Sequence, residues 1–455
     1  MKGPQPSIRK RADRLRPALG AVFLAGYALH TFAPGSFRTA AFLISGAVLY
    51  LLSVPWSSAF HRGLVAVSFG LLGVAVATGR FDTGRFLEGM PTYFGVVAVL
   101  LVLSVAGYPL RAARYEAQIR ALVAALSRRG ANVRTTAGVL GHGLGSVLDV
   151  GAFVLVDVIS ARAAPRERLE ALKWAGRAFS FAPLWTNLNV FTATTIVLTG
   201  VTYPGLLSVT LPFAMIGLAA TLLAAQRSKA GAAEVAEAEP LDRRALAVLL
   251  YPVGLVAAVA AVNLMLPGVS LTAAISLTVA AVVLLAAGVA ALVLRRSSPL
   301  ERLVREARAA LTASHAEFAL FGSAGVLVLS LQMLGALAPL GALLSALPAW
   351  LVAPALAAVM GAGFMLGIHV IPLVLMVGAA FPLDSGPAPA LWAAAILLGS
   401  QAAILLTPFS SAVTMLARLS GLHPLEIGPQ RNWRFGLAVA TAALLYLGLL
   451  SPLLL

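Results

Sequence analysis

Residues 135–160 read TTAGVLGHGLGSVLDVGAFVLVDVIS, an apolar run interrupted by Gly138, Gly141, Gly143, Gly145 and Gly151, with Ser146 and Asp149 near its centre. Basic residues crowd both flanks. Arg111, Arg114, Arg120, Arg128, Arg129 and Arg134 come before it, and Arg162, Arg166, Arg168, Lys173 and Arg177 come after. Positively charged loops tend to stay on the cytoplasmic side of a membrane, so a single crossing would strand one cluster outside. A re-entrant hairpin that enters and leaves on the cytoplasmic side satisfies both clusters. One tilted span of 26 residues is the competing reading by length.

The rest of the chain has the same character. It is 60% hydrophobic and 11% charged, with a mean hydropathy of +0.92, more apolar material than one soluble core can bury. The sequence therefore predicts an all-α polytopic membrane protein with about 11 transmembrane helices plus two re-entrant hairpins in an inverted repeat. Residues 1–38 read as a basic cytoplasmic N-terminus and a first, retained span, which puts the protein in the cytoplasmic (inner) membrane with its N-terminus inside. Crossings follow at roughly 39–55, 63–79 and 91–108, then an amphipathic surface helix over 111–134. Further spans are expected at 178–200, 205–225, 247–266, 271–294, 314–334 and 435–450, with a cytoplasmic linker at 226–246. The net charge of +16 sits in short loops between spans, where topology explains it and no nucleic-acid partner is needed. The chain has no Cys, which excludes disulfides, thiolate metal sites and cysteine nucleophiles.

From Ala309 to Ala417 there is no Lys or Arg, so the exposed parts of this stretch are expected to face outward. It contains an interfacial piece at 335–350, a Gly-broken hairpin segment at 351–381 and a span at 389–417. The same order of interfacial segment, broken segment and Pro-interrupted span occurs at 111–200. That makes 39–225 and 247–455 two repeats, opposed in orientation. The helix breakers lie in Ala182-Pro183-Leu184-Trp185-Thr186-Asn187 and Leu406-Thr407-Pro408-Phe409-Ser410-Ser411. His142 precedes Pro183 by 41 residues and His369 precedes Pro408 by 39, so the spacing suggests that these histidines occupy similar places.

Paired interrupted segments in inverted halves point to a secondary transporter with its site at the repeat interface. Proline inside a membrane helix frees carbonyls that lipid cannot satisfy. Such carbonyls, with Ser, Thr or Asn oxygens, offer hard ligands to Na⁺, while half-helix N-termini favour an anion. The candidate binding residues are Ser146, Asp149, Thr186, Asn187, Asn189, His369, Thr407, Ser410, Ser411 and Thr414, with Na⁺ near Asn187 and Ser410. Asp149 is the candidate for ion coupling, because an ionisable group in an apolar segment is costly unless paired or hydrated. Its alternative is a structural cap. His142 and His369 could bind a proton or an anion, or simply be hydrogen-bonded. The Ser and Thr residues could equally be interhelical glue, Trp185 could line a cavity or pack, and Asp157 reads as a solvated flank.

Two opposed hairpins and two Pro-broken spans resemble the ion transporter superfamily, and within it the divalent anion:sodium symporters. Where those symporters carry Ser-Asn-Thr at their hairpin tips, this sequence has Gly145-Ser146-Val147 and Gly367-Ile368-His369. The resemblance implies a dimeric scaffold domain and a transport domain that moves as an elevator.

An ion-coupled carrier of a small, anionic organic solute is the expected function, with membrane lipids and the solute as partners and no cofactor beyond Na⁺ or H⁺ as coupling ion. A membrane enzyme of lipid or cell-envelope metabolism is the alternative, as is a membrane subunit of a multi-component uptake system. No Walker-type phosphate loop is present, which argues against an ATP-driven pump. His423 and Glu426 lack the second pair that a metal site needs.

Overall fold

Short polar residues mark where many of the apolar helices begin. Ser58, Asp82, Asn132, Thr202, Ser270 and Ser410 each accept a backbone N–H from three residues on, satisfying one of the amides that a helix start leaves open. The computed structural model describes residues 6–33, 35–109, 116–161, 163–228, 243–266, 269–295, 298–381 and 389–454. Its α-helices, in chain order, are α1 (Pro6–Phe32), α2 (Ser36–Ser53), α3 (Ala59–Ala77), α4 (Thr83–Leu103), α5 (Glu116–Arg128), α6 (Val133–Leu148), α7 (Ala152–Ser160), α8 (Pro165–Phe179), α9 (Val190–Thr199) and α10 (Tyr203–Arg227). They continue as α11 (Arg243–Met265), α12 (Leu271–Leu294), α13 (Ser298–Ala313), α14 (His315–Leu334), α15 (Ala338–Ser345), α16 (Ala349–Met365), α17 (Val370–Ala380), α18 (Pro389–Ala403), α19 (Ser411–Ser420) and α20 (Arg431–Leu454).

Among the described residues, eight helical stretches are long and apolar enough to cross a membrane, and four shorter apolar helices accompany them. Their outer faces are apolar too. On α12, Leu285, Leu292 and Val293 are 68%, 79% and 75% exposed, a distribution that water penalises and lipid does not. The chain is a multi-pass α-helical membrane protein. Most of the linker expected at 226–246, including its acidic residues, lies outside the described residues, as do Arg111 and Arg114 of the expected surface helix.

The helices form two compact units, one from residues 1–109 and 263–341, the other from 110–262 and 342–455. In the first, α14 packs on α2, α3 and α4. Phe23 of α1 stands 5.1 Å from Phe42 of α2 and 5.0 Å from Phe318 of α14, ring centre to ring centre. Tyr50 and Ser323 share a 3.0 Å hydroxyl hydrogen bond within the same unit, and Ser68 donates to the Ser323 carbonyl.

The second unit contains one order of elements twice. A pair of helices joined by a tight turn (α6 and α7, then α16 and α17) is followed by a helix (α8, α18), a non-helical break and a short helix (α9, α19), and then a long helix (α10, α20). Within each copy the first helix of the pair packs on the helix before the break. Between copies the pieces are exchanged: α9 lies against α17 and α18, and α19 lies against α7 and α8. Neither copy is complete without the other.

Several sequence readings need correction here. The glycines of residues 135–160 do not break the chain, since α6 runs through Gly138, Gly141, Gly143 and Gly145, and the interruption comes at Asp149 with φ +50°. Gly141 is needed for close approach, because a Cβ there would lie 2.7 Å from the Ala175 carbonyl oxygen of α8. In the other copy a Cβ at Gly399 would overlap the Ala357 carbonyl, so small residues let backbones meet in both. The basic stretch 162–177, read as a loop, is largely the helix α8. Several of its charges are paired. Arg134 binds Glu167 at 2.9 Å, Arg168 binds both oxygens of Asp157 at 2.7 and 2.8 Å, and Lys173 binds Glu170. Asp157 is therefore an ion-pair partner and not a solvated flank.

A larger side chain at Gly399 forces α16 and α18 apart. Gly399→Val is expected to destabilise the protein by about 1–3 kcal/mol, the usual range for overpacking, seen as a lowered Tm in detergent. Gly143→Ala, on a helix face with open space around it, should leave Tm unchanged.

Candidate functional site

The first break spans residues 180–189 and holds one 3₁₀ turn, Ala182–Leu184, with Pro183 inside it. The second spans 404–410. They are built alike, although not around their prolines. In the first, the Thr186 amide reaches back to the Ala182 carbonyl and the Thr186 hydroxyl accepts the Leu188 amide at 3.2 Å. In the second, the Thr407 amide reaches back to Ala403 and the Thr407 hydroxyl accepts the Phe409 amide at 3.3 Å. Three residues after each threonine comes a helix cap. Asn189 Oδ1 accepts the Phe191 amide at the start of α9, and Ser410 Oγ accepts the Val413 amide at the start of α19. Thr186 thus corresponds to Thr407 and Asn189 to Ser410, while Pro183 precedes its threonine and Pro408 follows. A threonine hydroxyl here replaces a backbone acceptor that the helix no longer provides.

Break carbonyls in the first copy also find partners. Thr192 Oγ1 donates to the Pro183 carbonyl at 2.7 Å, and the Tyr203 hydroxyl donates to the Trp185 carbonyl. Thr186 Oγ1 donates to the Ser146 carbonyl near the end of α6, which ties the break to the turn of its own copy. Asn187 is fully buried. Its Nδ2 donates to the Val256 carbonyl of α11 at 3.1 Å, which aims Oδ1 the other way, and that oxygen has no hydrogen-bond partner among the described residues. An acceptor held dry in this way is costly unless something binds it.

The turn between α6 and α7 is Asp149–Gly151, beyond the Gly145-Ser146-Val147 expected at the tip. Asp149 sits on that turn, with its side chain at the surface of the fold. Ser146 is buried and donates back to the Gly143 carbonyl. At the corresponding turn of the second copy, Gly367 has φ +87° and adjoins the Phe409 ring, and His369 caps α17, its Nδ1 facing the Ile371 amide at 3.4 Å. The two histidines are therefore not equivalent: His142 lies inside α6, seven residues before Asp149, and His369 lies on the turn itself. Similar spacing to two prolines that are themselves not equivalent produced the apparent match.

Of the ten candidates, the structure brings Ser146 and Thr186 into direct contact through the hydrogen bond above, and puts Asn187 and Asn189 in the same break. Thr407 and Ser410 hold the other break. Ser411 and Thr414 are exposed on α19. Sequence reading missed Tyr203 and Thr192, which partner the break, and Thr194 and Gln401, buried polar side chains with oxygens unpartnered among the described residues, on helices that flank the breaks. A glutamine late in an otherwise apolar helix was the available signal for Gln401. No group of three or more His, Cys, Asp or Glu side chains among the described residues could hold a metal ion.

Loss of either cap should be measurable. Asn189→Ala and Ser410→Ala are each expected to cost about 1 kcal/mol of stability, read as a lowered Tm in detergent. Asn189→Asp and Ser410→Thr keep the acceptor and should stay near wild type, as should Ser411→Ala.

No family model matches the sequence, and no curated protein matches it. The fold does have a solved relative. The structure is similar to the crystal structure of the Alcanivorax borkumensis YdaH transporter, which was described as having an unusual topology, with a TM-score of 0.52, 15% sequence identity, and coverage of 86% of this chain and 98% of that one. At that identity the likeness is one of fold.

Proposed function

We propose that the chain is an ion-coupled secondary carrier for a small, anionic organic solute, working by alternating access. The observation that carries this reading is the matched construction of the two breaks, each a buried threonine turn followed by a capped helix start. Interrupted helices persist in membranes where backbone is enclosed by protein or faces a polar site, and paired ones are the usual frame of transporter binding sites. The similarity to a transporter structure supports the same reading.

In this proposal the two copies take different parts. The first offers the coupling ion its oxygens: the buried Asn187 Oδ1 and the Asp149 carboxylate at the nearby turn, with Thr186, Ser146 and Asn189 holding their positions. The second offers the solute's negative charge the start of α19 at Ser410 and Ser411, together with His369, Thr407 and Thr414. Na⁺ or H⁺ is the coupling ion. The second unit, which holds both breaks, is read as a transport domain moving as an elevator, and the first as the scaffold of a homodimer. The copies are read as an inverted repeat with re-entrant helix pairs, in the inner membrane with the N-terminus in the cytoplasm.

Purified protein in proteoliposomes is expected to accumulate at least one labelled organic anion only when a Na⁺ or pH gradient is imposed. Asn187→Ala and Asp149→Asn should each lower that uptake at least tenfold, the loss of about 1.4 kcal/mol or more of binding, with Tm and elution profile unchanged. Uptake that ignores both gradients and both substitutions would sink the proposal.

A further inference from the structure

His142 is buried in α6 and both of its ring nitrogens are engaged. Nδ1 lies 3.1 Å from the Ala178 carbonyl of α8, an oxygen that can only accept, so Nδ1 carries the proton. Nε2 lies 3.0 Å from the Trp185 indole nitrogen, a group that can only donate, so Nε2 carries none. The two bonds fix the ring as a neutral imidazole of one tautomer. Trp185 is in turn held at its other end, where its carbonyl accepts from the Tyr203 hydroxyl of α10. The residues next in line are Thr186 and Asn187.

We infer that His142 is a positioning residue for the first break: by accepting from Trp185 while donating to the last turn of α8, it sets where the non-helical segment leaves that helix and hence where Asn187 Oδ1 sits. The inference rests on the carrier reading for its purpose, but not for its test. The ring has the one property this place requires, an acceptor and a donor back to back. Glutamine carries the same pair, leucine neither, and lysine only donors. No other hydrogen bond holds the Trp185 ring among the described residues, so the placement of that ring at the entrance of the break depends on His142.

The test follows 5-fluorotryptophan resonances in the full-length protein in nanodiscs. The chain has six tryptophans, and Trp185→Phe assigns the resonance of interest by its loss. His142→Gln should leave that resonance in place. His142→Lys and His142→Leu should move it while the other five stay. A second measurement uses the cysteine-free chain with Leu188→Cys, a buried position in the break. Its labelling by a membrane-permeant maleimide should be faster by about tenfold in the His142→Lys and Trp185→Phe backgrounds, the factor expected when one hydrogen bond's net contribution is lost, and unchanged with His142→Gln. A Trp185 resonance indifferent to lysine, or a glutamine variant that behaves like lysine in both measurements, would overturn the inference. Neither readout needs a transported solute, so proteoliposomes that fail to take up any anion would refute the carrier reading and leave this one standing.

Discussion

A chain that leaves the helix within an apolar surround exposes amide and carbonyl groups that lipid cannot bind. Most of what is distinctive in the second unit answers that constraint. Thr186 and Thr407 lend hydroxyls to amides two residues on, Asn189 and Ser410 cap the helices that resume, and Thr192 and Tyr203 cover carbonyls of the first break. The arrangement recurs because the problem recurs: each copy has to stop and restart a helix in the same place. It is also economical in side chains, since one threonine both accepts an amide and, at Thr186, donates to the neighbouring helix pair.

Against that background of satisfied groups, the exceptions become informative. The Asn187 amide is fixed by its bond to Val256, so its oxygen cannot be turned away from the interior to find another partner. A buried acceptor held in this way is an expense in stability, and such expenses are characteristic of sites where something other than the protein completes the shell. Thr194 and Gln401 share the feature, on two helices that pack together.

The spans were legible in the sequence because length and hydropathy alone define them. The helix expected at 271–294 runs from Leu271 to Leu294, and that at 314–334 from His315 to Leu334. The breaks were legible from their prolines, but their correspondence was not. Proline can interrupt a helix from either side of the residue that repairs it, and only the hydrogen bonds reveal that Thr186 and Thr407 are the matching positions. Charge misled over 162–177, because a basic segment can be a packed helix once its charges are paired, Arg168 with Asp157 outside the segment and Lys173 with Glu170 within it. Glycine misled over 135–160 for a related reason: a residue that weakens helices also lets them touch, and sequence does not say which use prevails.

The two copies, alike in backbone, differ in how their helix pairs are fastened. Ion pairs moor α6 and α7 to adjacent residues of α8, Glu167 and Arg168, one with its acid and the other with its base on the anchoring helix. Helices α16 and α17 contain no ionisable residue. Dissolved salt can loosen the first fastening by screening and has nothing to act on in the second. One order of elements occurs twice, and only one of the two copies carries a fastening that responds to its ionic surroundings.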